Sequence, residues 1–196
     1  MKLFELLTKE DVKLSRLLKY KKEQILFNEE DECLYVGIVI KGEIKIVSYS
    51  LSGQEIIYNV IKEGQMFGNN LIFSNYPRFR GNVIASSDGE LILFNKENLL
   101  KILQSNSSFL EAYLSSQAEF SKRLNNTIKL LSLSSAEERL LYYLKGNNPL
   151  KIKSISSLSE SLYLSREATS RLVSKMIKEG KINRNGKVLY LPKDIK

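Results

Sequence analysis

The sequence predicts an α+β chain in which an antiparallel β half is followed by a helical half that closes on a β-hairpin. Three observations predict it. Over residues 20–95, short apolar alternations are broken at glycines; after Lys96 the apolar period lengthens to that of a helix; and the last fifty residues carry two short helical patterns followed by Asn185-Gly186 between strand-like runs.

In the β half, ILFNEED, LYVGIVIKGEIKIVSYSLSGQEIIYNVIKEGQMFG and GNVIASSDGELILFN are rich in Ile, Val and Tyr. Segments such as 43–49 and 55–61, separated by Gly42, Gly53 and Gly64, read as strands of an antiparallel roll or barrel. Beyond Lys96, NLLKIL and SSFLEAYLSSQAEFSKRLNNTIKLLSL run for several turns without glycine or proline, which predicts a long helix. Within it Leu110, Leu114, Gln117, Ser121, Leu124, Ile128 and Leu131 recur at steps of four and three, the spacing of a helix-helix seam with two polar members. The same periodicity suits a helix lying across its own β domain through Phe109, Tyr113 and Phe120, and the two faces are compatible.

Helical spacing resumes in SSAEERLLYYLKG, with Ser134 or Ser135 to cap it and Gly146 to stop it, and LSLSS before it reads as a hinge. Asn147, Asn148 and Pro149 mark a break. A short helix over 156–163, a brief turn at Leu164 and a second helix over 166–178 capped by Ser165 follow, and Gly180 ends the second. In INRNGKVLYL, Asn185-Gly186 is the pair that a type I′ hairpin turn favours. Helix, turn, helix and hairpin together outline a winged helix-turn-helix. The expected domains are a β-roll over 1–106, a long helix and hinge over 107–133, and a winged helix-turn-helix over 134–196.

Composition excludes more than it adds. The chain has 196 residues, no histidine and one cysteine, Cys33. An internal disulfide, a Cys-rich metal or iron-sulfur site, His-dependent nucleophilic catalysis and His-ligated metal or haem all lose their central groups. Neither G-x-x-x-x-G-K-[ST] nor G-x-G-x-x-G occurs, so the expectation is a protein that is not an enzyme. The longest nearly uninterrupted apolar run, LYVGIVI, is far short of the roughly 20 residues that span a bilayer, and no secretory signal opens the chain, which points to a cytoplasmic protein without a membrane partner. The net charge of +8 is concentrated at one end: residues 147–196 hold eleven Lys and Arg against four Asp and Glu, the first 146 nineteen against eighteen. A basic block of this kind suits a polyanion or an anionic membrane surface.

The chemistry follows from LSREATSRLVSK. At 100° per residue, Arg166, Ser170, Ser174, Glu167 and Arg171 fall between about 0° and 140°, while Ala168, Leu172, Met176 and Val173 fall between about 200° and 340°. The helix has a dry face and a probing face. A guanidinium matches the O6 and N7 acceptors of guanine and a carboxylate can accept from cytosine N4, so Arg166, Glu167 and Arg171 suit base edges of double-stranded DNA in a major groove. Ser165, Thr169, Ser170, Ser174, Lys175 and the wing residues Arg184 and Lys187 suit phosphate contacts that position without reading sequence. A Glu167–Arg171 pair on a solvated face is the competing reading of the same helix.

LSESLYLSREATSRLVSKMIKEGKI resembles the helix-turn-helix of the Crp/Fnr family of bacterial transcription regulators, on the S-R-E-x-x-x-R core at Ser165, Arg166, Glu167 and Arg171, and the order of roll, long helix and winged helix-turn-helix extends the resemblance over nearly the whole chain. It implies a cyclic-nucleotide-binding-like roll with the double-stranded β-helix fold. It also implies a homodimer joined through Leu110, Leu114, Leu124, Ile128 and Leu131, an inverted-repeat operator, a small-molecule effector, and RNA polymerase as a further candidate partner. Tyr163 stands in the turn where the family often has glycine. The expected effector pocket comprises Gly68, Asn69, Asn70, Arg78, Arg80 and Thr127. Members that bind cyclic AMP carry a Gly-Glu pair and, about ten residues on, Arg-Ser; here Asn69 replaces the glutamate, Phe79-Arg80 the Arg-Ser pair, and Ile128 follows Thr127 where a serine is expected. Cyclic AMP is therefore not the expected effector, and no cofactor is assigned. Arg78 and Arg80 read as surface charges on a loop beside Pro77, with an anion held by a shift in register as the alternative. Two other functions compete: a sensor that acts on a protein partner, and a cupin-like enzyme, whose usual metal needs histidines the chain lacks.

Overall fold

The computed structural model describes residues 2–53 and 55–192. They form two compact units, 1–119 and 120–196. Lys193 and Lys196, counted in the basic balance above, lie outside the described residues.

The first unit opens with a 3-10 turn, Leu3–Leu6, and helix α1, Lys9–Lys13, and continues with strands β1 Arg16–Tyr20, β2 Ile25–Phe27, β3 Tyr35–Lys41, β4 Glu43–Tyr49, β5 Glu55–Lys62, β6 Met66–Phe67, β7 Asn82–Ala85 and β8 Gly89–Asn95. They pair as two four-stranded sheets, β1-β8-β3-β6 and β2-β7-β4-β5, with antiparallel neighbours throughout. Both faces of β3 are covered, which explains why its sequence runs apolar instead of alternating. Val39 joins Tyr20, Ile44, Phe67, Phe79 and Leu91 in one core, and Val36 and Ile38 join Phe94, Leu99, Ile102 and Phe109 in another. Gly37 allows the crossing: a Cβ there would lie 2.0 Å from the Phe67 ring. Gly42, Gly53 and Gly64 all take positive φ, as turn positions between these strands require.

The helical stretch after Lys96 forms two helices, α2 Lys96–Ser105 and α3 Ser107–Leu131. Asn106 between them has extended backbone. Its side chain accepts from Phe109 N at 3.0 Å and donates to Leu6 O and Asp11 Oδ2, both at 2.9 Å, so it caps α3 while fastening the break to the N-terminal segment. Phe109 and Tyr113, on one face of α3, are buried in the unit's second core. Leu114, Leu124, Ile128 and Leu131 are exposed and Leu110 is half-buried, so the chain itself leaves most of the apolar seam open.

The second unit holds the end of α3, α4 Ala136–Gly146, β9 Leu150–Lys151, α5 Ile155–Leu162, α6 Arg166–Lys178, β10 Asn183–Asn185 and β11 Val188–Tyr190. Ser135, Ser154 and Ser165 each cap the helix that follows, accepting from the backbone N–H three residues on. The order β10-β11-β9 makes a small three-stranded sheet. Leu140, Leu144, Leu158, Leu162, Val173, Met176, Ile182 and Leu189 close one core beneath helices and sheet. The hairpin turn differs from expectation. Asn185 pairs with Val188, so the loop is Gly186-Lys187, and only Gly186 has positive φ (57°). That is the pattern of a type II′ turn, with glycine at the first central position, not of a type I′ turn built on Asn185-Gly186.

Candidate nucleic-acid interface

The α5–α6 turn is set by its backbone. Tyr163 is left-handed (φ 55°, ψ 46°), the conformation that glycine adopts without steric cost, and its N–H and that of Leu164 return to Glu160 O and Ser159 O at 3.2 and 3.0 Å. Its hydroxyl lies 3.4 Å from Thr127 Oγ1 of α3. Further contacts join the end of α3 to α4: Lys129 Nζ lies 5.2 Å from the Tyr142 ring centroid, and Arg139 Nη2 donates to Leu131 O at 3.3 Å.

On α6 the dry face is Thr169, Val173 and Met176, and the other face is open. Ser165, Arg166, Glu167, Ser170, Arg171, Ser174 and Lys175 are all exposed. Ser165 Oγ is occupied as the cap, accepting from Ala168 N at 3.1 Å. The expected alternative, a Glu167–Arg171 ion pair, is absent among the described residues: Arg171 Nε donates to the backbone carbonyl of Glu167 at 3.5 Å, and the Glu167 carboxylate and Arg166 guanidinium have no partner there. Both charges of the arc's N-terminal end are therefore available to an outside ligand.

Two residues grouped with the positioning contacts stand elsewhere. Thr169 is completely buried and its hydroxyl has no hydrogen-bond partner among the described residues; steps of 100° put it near 300°, among the apolar positions, a signal the sequence held. It takes no part in the exposed arc. Lys175 is engaged in an ion-pair cluster, 3.7 Å from both Glu137 and Glu179, and Lys181 completes it against the same two carboxylates. Hydrogen bonding to Glu137 holds the Lys181 pKa above the ordinary lysine range, and hydrogen bonding to Lys181 holds Glu179 below the ordinary glutamate range. On the hairpin, Arg184 Nε donates to Gly186 O at 2.8 Å, and the side chain of Lys187 is exposed.

The residues expected to form an effector pocket have different partners. Gly68 is left-handed (φ 75°) and a Cβ there would lie 2.7 Å from Tyr35 O. The Asn69 carbonyl accepts from Tyr113 Oη at 2.9 Å and from Gln117 Nε2 at 2.6 Å, both on α3. Burial keeps the Tyr113 phenol protonated to higher pH than usual. Asn70 is exposed. Arg78 Nη1 donates to Glu30 O at 2.7 Å and Arg80 Nη1 lies 3.5 Å from Glu30 Oε1, both arginines being exposed, while Phe79 between them is buried beside Phe27, with ring centroids 5.0 Å apart. These arginines are surface charges beside Pro77, tied to Glu30. Thr127 belongs to the second unit. Two open clefts of the roll, about 470 and 340 Å³, are lined by Lys45, Tyr49 and Ile84 and by Tyr20, Lys41 and Glu90, and by none of the expected pocket residues. The ties of Asn69 to Tyr113 and Gln117 had no sequence signal, because the partners are 44 and 48 residues away.

Residues 17–106, the strands of the roll and α2, match the family model of the cyclic nucleotide-binding domain. The roll is similar to that family over those residues. The solved structures extend the likeness beyond the cyclic nucleotide-binding domain to α3 and the winged helix-turn-helix. A CooA mutant from Carboxydothermus hydrogenoformans has a TM-score of 0.69 at 20% identity, covering 97% of this chain and 91% of that one. The Thermus thermophilus Catabolite Activator Protein has a TM-score of 0.58 at 20% identity, covering 97% and 93%. The sensor domain of the transcriptional regulator DNR from Pseudomonas aeruginosa has a TM-score of 0.52 at 26% identity, covering 68% and 89%. No curated protein matches in sequence. The architecture is thus the one shared by Crp/Fnr transcription regulators, a cyclic nucleotide-binding domain followed by a winged helix-turn-helix. Among the described residues no helix is long and apolar enough to cross a membrane.

Proposed function

We propose that this protein is a sequence-specific DNA-binding transcription regulator of the Crp/Fnr type, working as a homodimer on an inverted-repeat operator. The observation that carries the reading is the open arc of α6, where among the described residues Arg166 and Glu167 have no partner and Arg171 donates to a backbone carbonyl. Arg166, Glu167 and Arg171 read base edges; Ser170, Ser174 and Lys187 hold phosphates, Ser165 sets the helix start, and Lys175 contributes charge once its acidic partners yield it. The exposed leucines of α3 and Ile128 supply the dimer seam, and two-fold symmetry of the dimer accounts for an inverted repeat.

The roll responds to a small molecule other than cyclic AMP. Asn69 lacks the carboxylate that would hold a ribose hydroxyl, and Phe79 fills the position of a phosphate-binding arginine from inside the core. The fold itself accommodates unrelated effectors, since CooA is CO-dependent and CLP from Xanthomonas campestris is c-di-GMP responsive. RNA polymerase is the further partner this function calls for.

The test is selection of bound sequences from a library of randomised 30-base-pair duplexes, followed by titration of the enriched sequence at several salt concentrations. A two-fold-symmetric consensus bound with a steep salt slope is expected. Binding indifferent to sequence would instead favour a sensor that acts on a protein partner.

A further inference from the structure

The wing tip is built differently from a simple phosphate contact. Asn183, Arg184, Asn185, Gly186 and Lys187 are all exposed and include no acidic residue. Positive φ at Gly186 makes a tight two-residue loop with open space around its Cα, so the tip is narrow. Across this tip the Arg184 side chain folds back until Nε donates to Gly186 O at 2.8 Å. That bond uses one of five guanidinium donors and leaves the two terminal NH2 groups without a partner among the described residues. Pinning the guanidinium also lowers the conformational entropy still to be lost when those groups meet a ligand.

The hairpin has a fixed place relative to the reading helix. Ile182, Leu189 and Leu191, from the segments forming and flanking the wing, share one core cluster with Val173 and Met176 of α6. With the open arc of α6 in a major groove, an element fastened beside the helix meets the neighbouring backbone and the minor groove beyond it, about half of the 10- to 10.5-base-pair turn away. A flexible point charge suffices for a phosphate, and Lys187 on the same loop is one. A narrow tip carrying a planar, pre-positioned fork fits a groove about 6 Å wide whose A·T pairs present only the acceptors A N3 and T O2, and whose narrowing at A-tracts deepens the negative potential.

We propose that Arg184 is a specificity residue that enters the minor groove flanking each half-site and favours A·T pairs there, rather than a phosphate contact like Lys187. The inference rests on the DNA-binding function proposed above and adds a second, outer zone of sequence preference to it.

The experiment repeats the random-duplex selection with the full-length protein and with Arg184→Ala and Arg184→Lys. Wild-type protein enriches A·T pairs outside each half-site and binds A·T-flanked duplex about 5- to 10-fold more tightly than G·C-flanked duplex, the order expected of arginine in a narrow minor groove. Arg184→Ala keeps the half-sites and loses the flank preference; Arg184→Lys keeps the salt slope and loses most of it. Replacing flanking G·C by I·C removes only the N2 amine from the minor groove, and restores wild-type affinity toward the A·T value without affecting Arg184→Ala. Half-sites with indifferent flanks, a flank preference that survives Arg184→Ala, or full rescue by lysine would each overturn the inference while leaving DNA binding intact. If no sequence is enriched at all, the DNA-binding function falls and this inference with it.

Discussion

At the scale of single residues the arc of α6 divides into readers and holders, and substitution separates them. Arg171→Ala should relax preference at one base pair of each half-site, costing about 1–3 kcal/mol against the preferred base. Lys187→Ala should weaken all sequences alike and lower the salt slope by about one. Competition titrations against single-base variants at two or more salt concentrations check both; identical behaviour would refute the division of labour. Thr169 belongs to stability instead. Its buried hydroxyl has no partner among the described residues, so Thr169→Val, nearly the same shape, removes an uncompensated polar atom and should stabilise the second unit by about 1 kcal/mol in urea unfolding. Tyr163 shows what the sequence alone could and could not give: tyrosine stands where glycine is common, and the left-handed backbone explains the preference for glycine there, but the approach of its hydroxyl to Thr127, 36 residues away, required the fold.

At the scale of elements, local chemistry was legible and tertiary pairing was not. The helix caps at Ser135 and Ser165, the glycine turns at 42, 53 and 64, and the dry and wet faces of α6 follow from spacing and side-chain type. The bonds of Asn106 to Leu6 and Asp11, which fasten the break between α2 and α3, had no such signal because their partners lie about a hundred residues upstream. The turn type of the wing escaped because Asn-Gly supports more than one register, and pairing of Asn185 with Val188 chose between them. For α3, Phe109 is buried in the first unit's core while Leu124 (49%) and Ile128 (57%) are exposed, and in the homodimer proposed above these exposed side chains form the seam. Glutamate at both positions, Leu124→Glu with Ile128→Glu, should convert a dimer to monomer in sedimentation equilibrium while circular dichroism stays unchanged, because neither side chain contributes to a core of its own chain.

At the scale of the whole molecule each unit has its own hydrophobic core, and the lone thiol reports on one of them. Cys33 is 2% exposed, and burial pushes its pKa up to about 11. At pH 8 only about one thiol in a thousand is ionised, so a disulfide exchange reagent should label the native protein very slowly. Labelling should accelerate with the denaturant-induced opening of the roll, and fast labelling of the folded chain would show that this core is looser than its packing implies. The roll carries a further reporter of a different kind. The Asn69 carbonyl has two lone pairs, and Tyr113 and Gln117 already occupy it from α3. A compound that seats on this loop through that oxygen must displace one of the two donors, and release of the phenol changes the near-ultraviolet absorption of one of ten tyrosines in a chain with no tryptophan. Optical difference spectroscopy on unlabelled protein is therefore a direct screen for whatever occupies the loop.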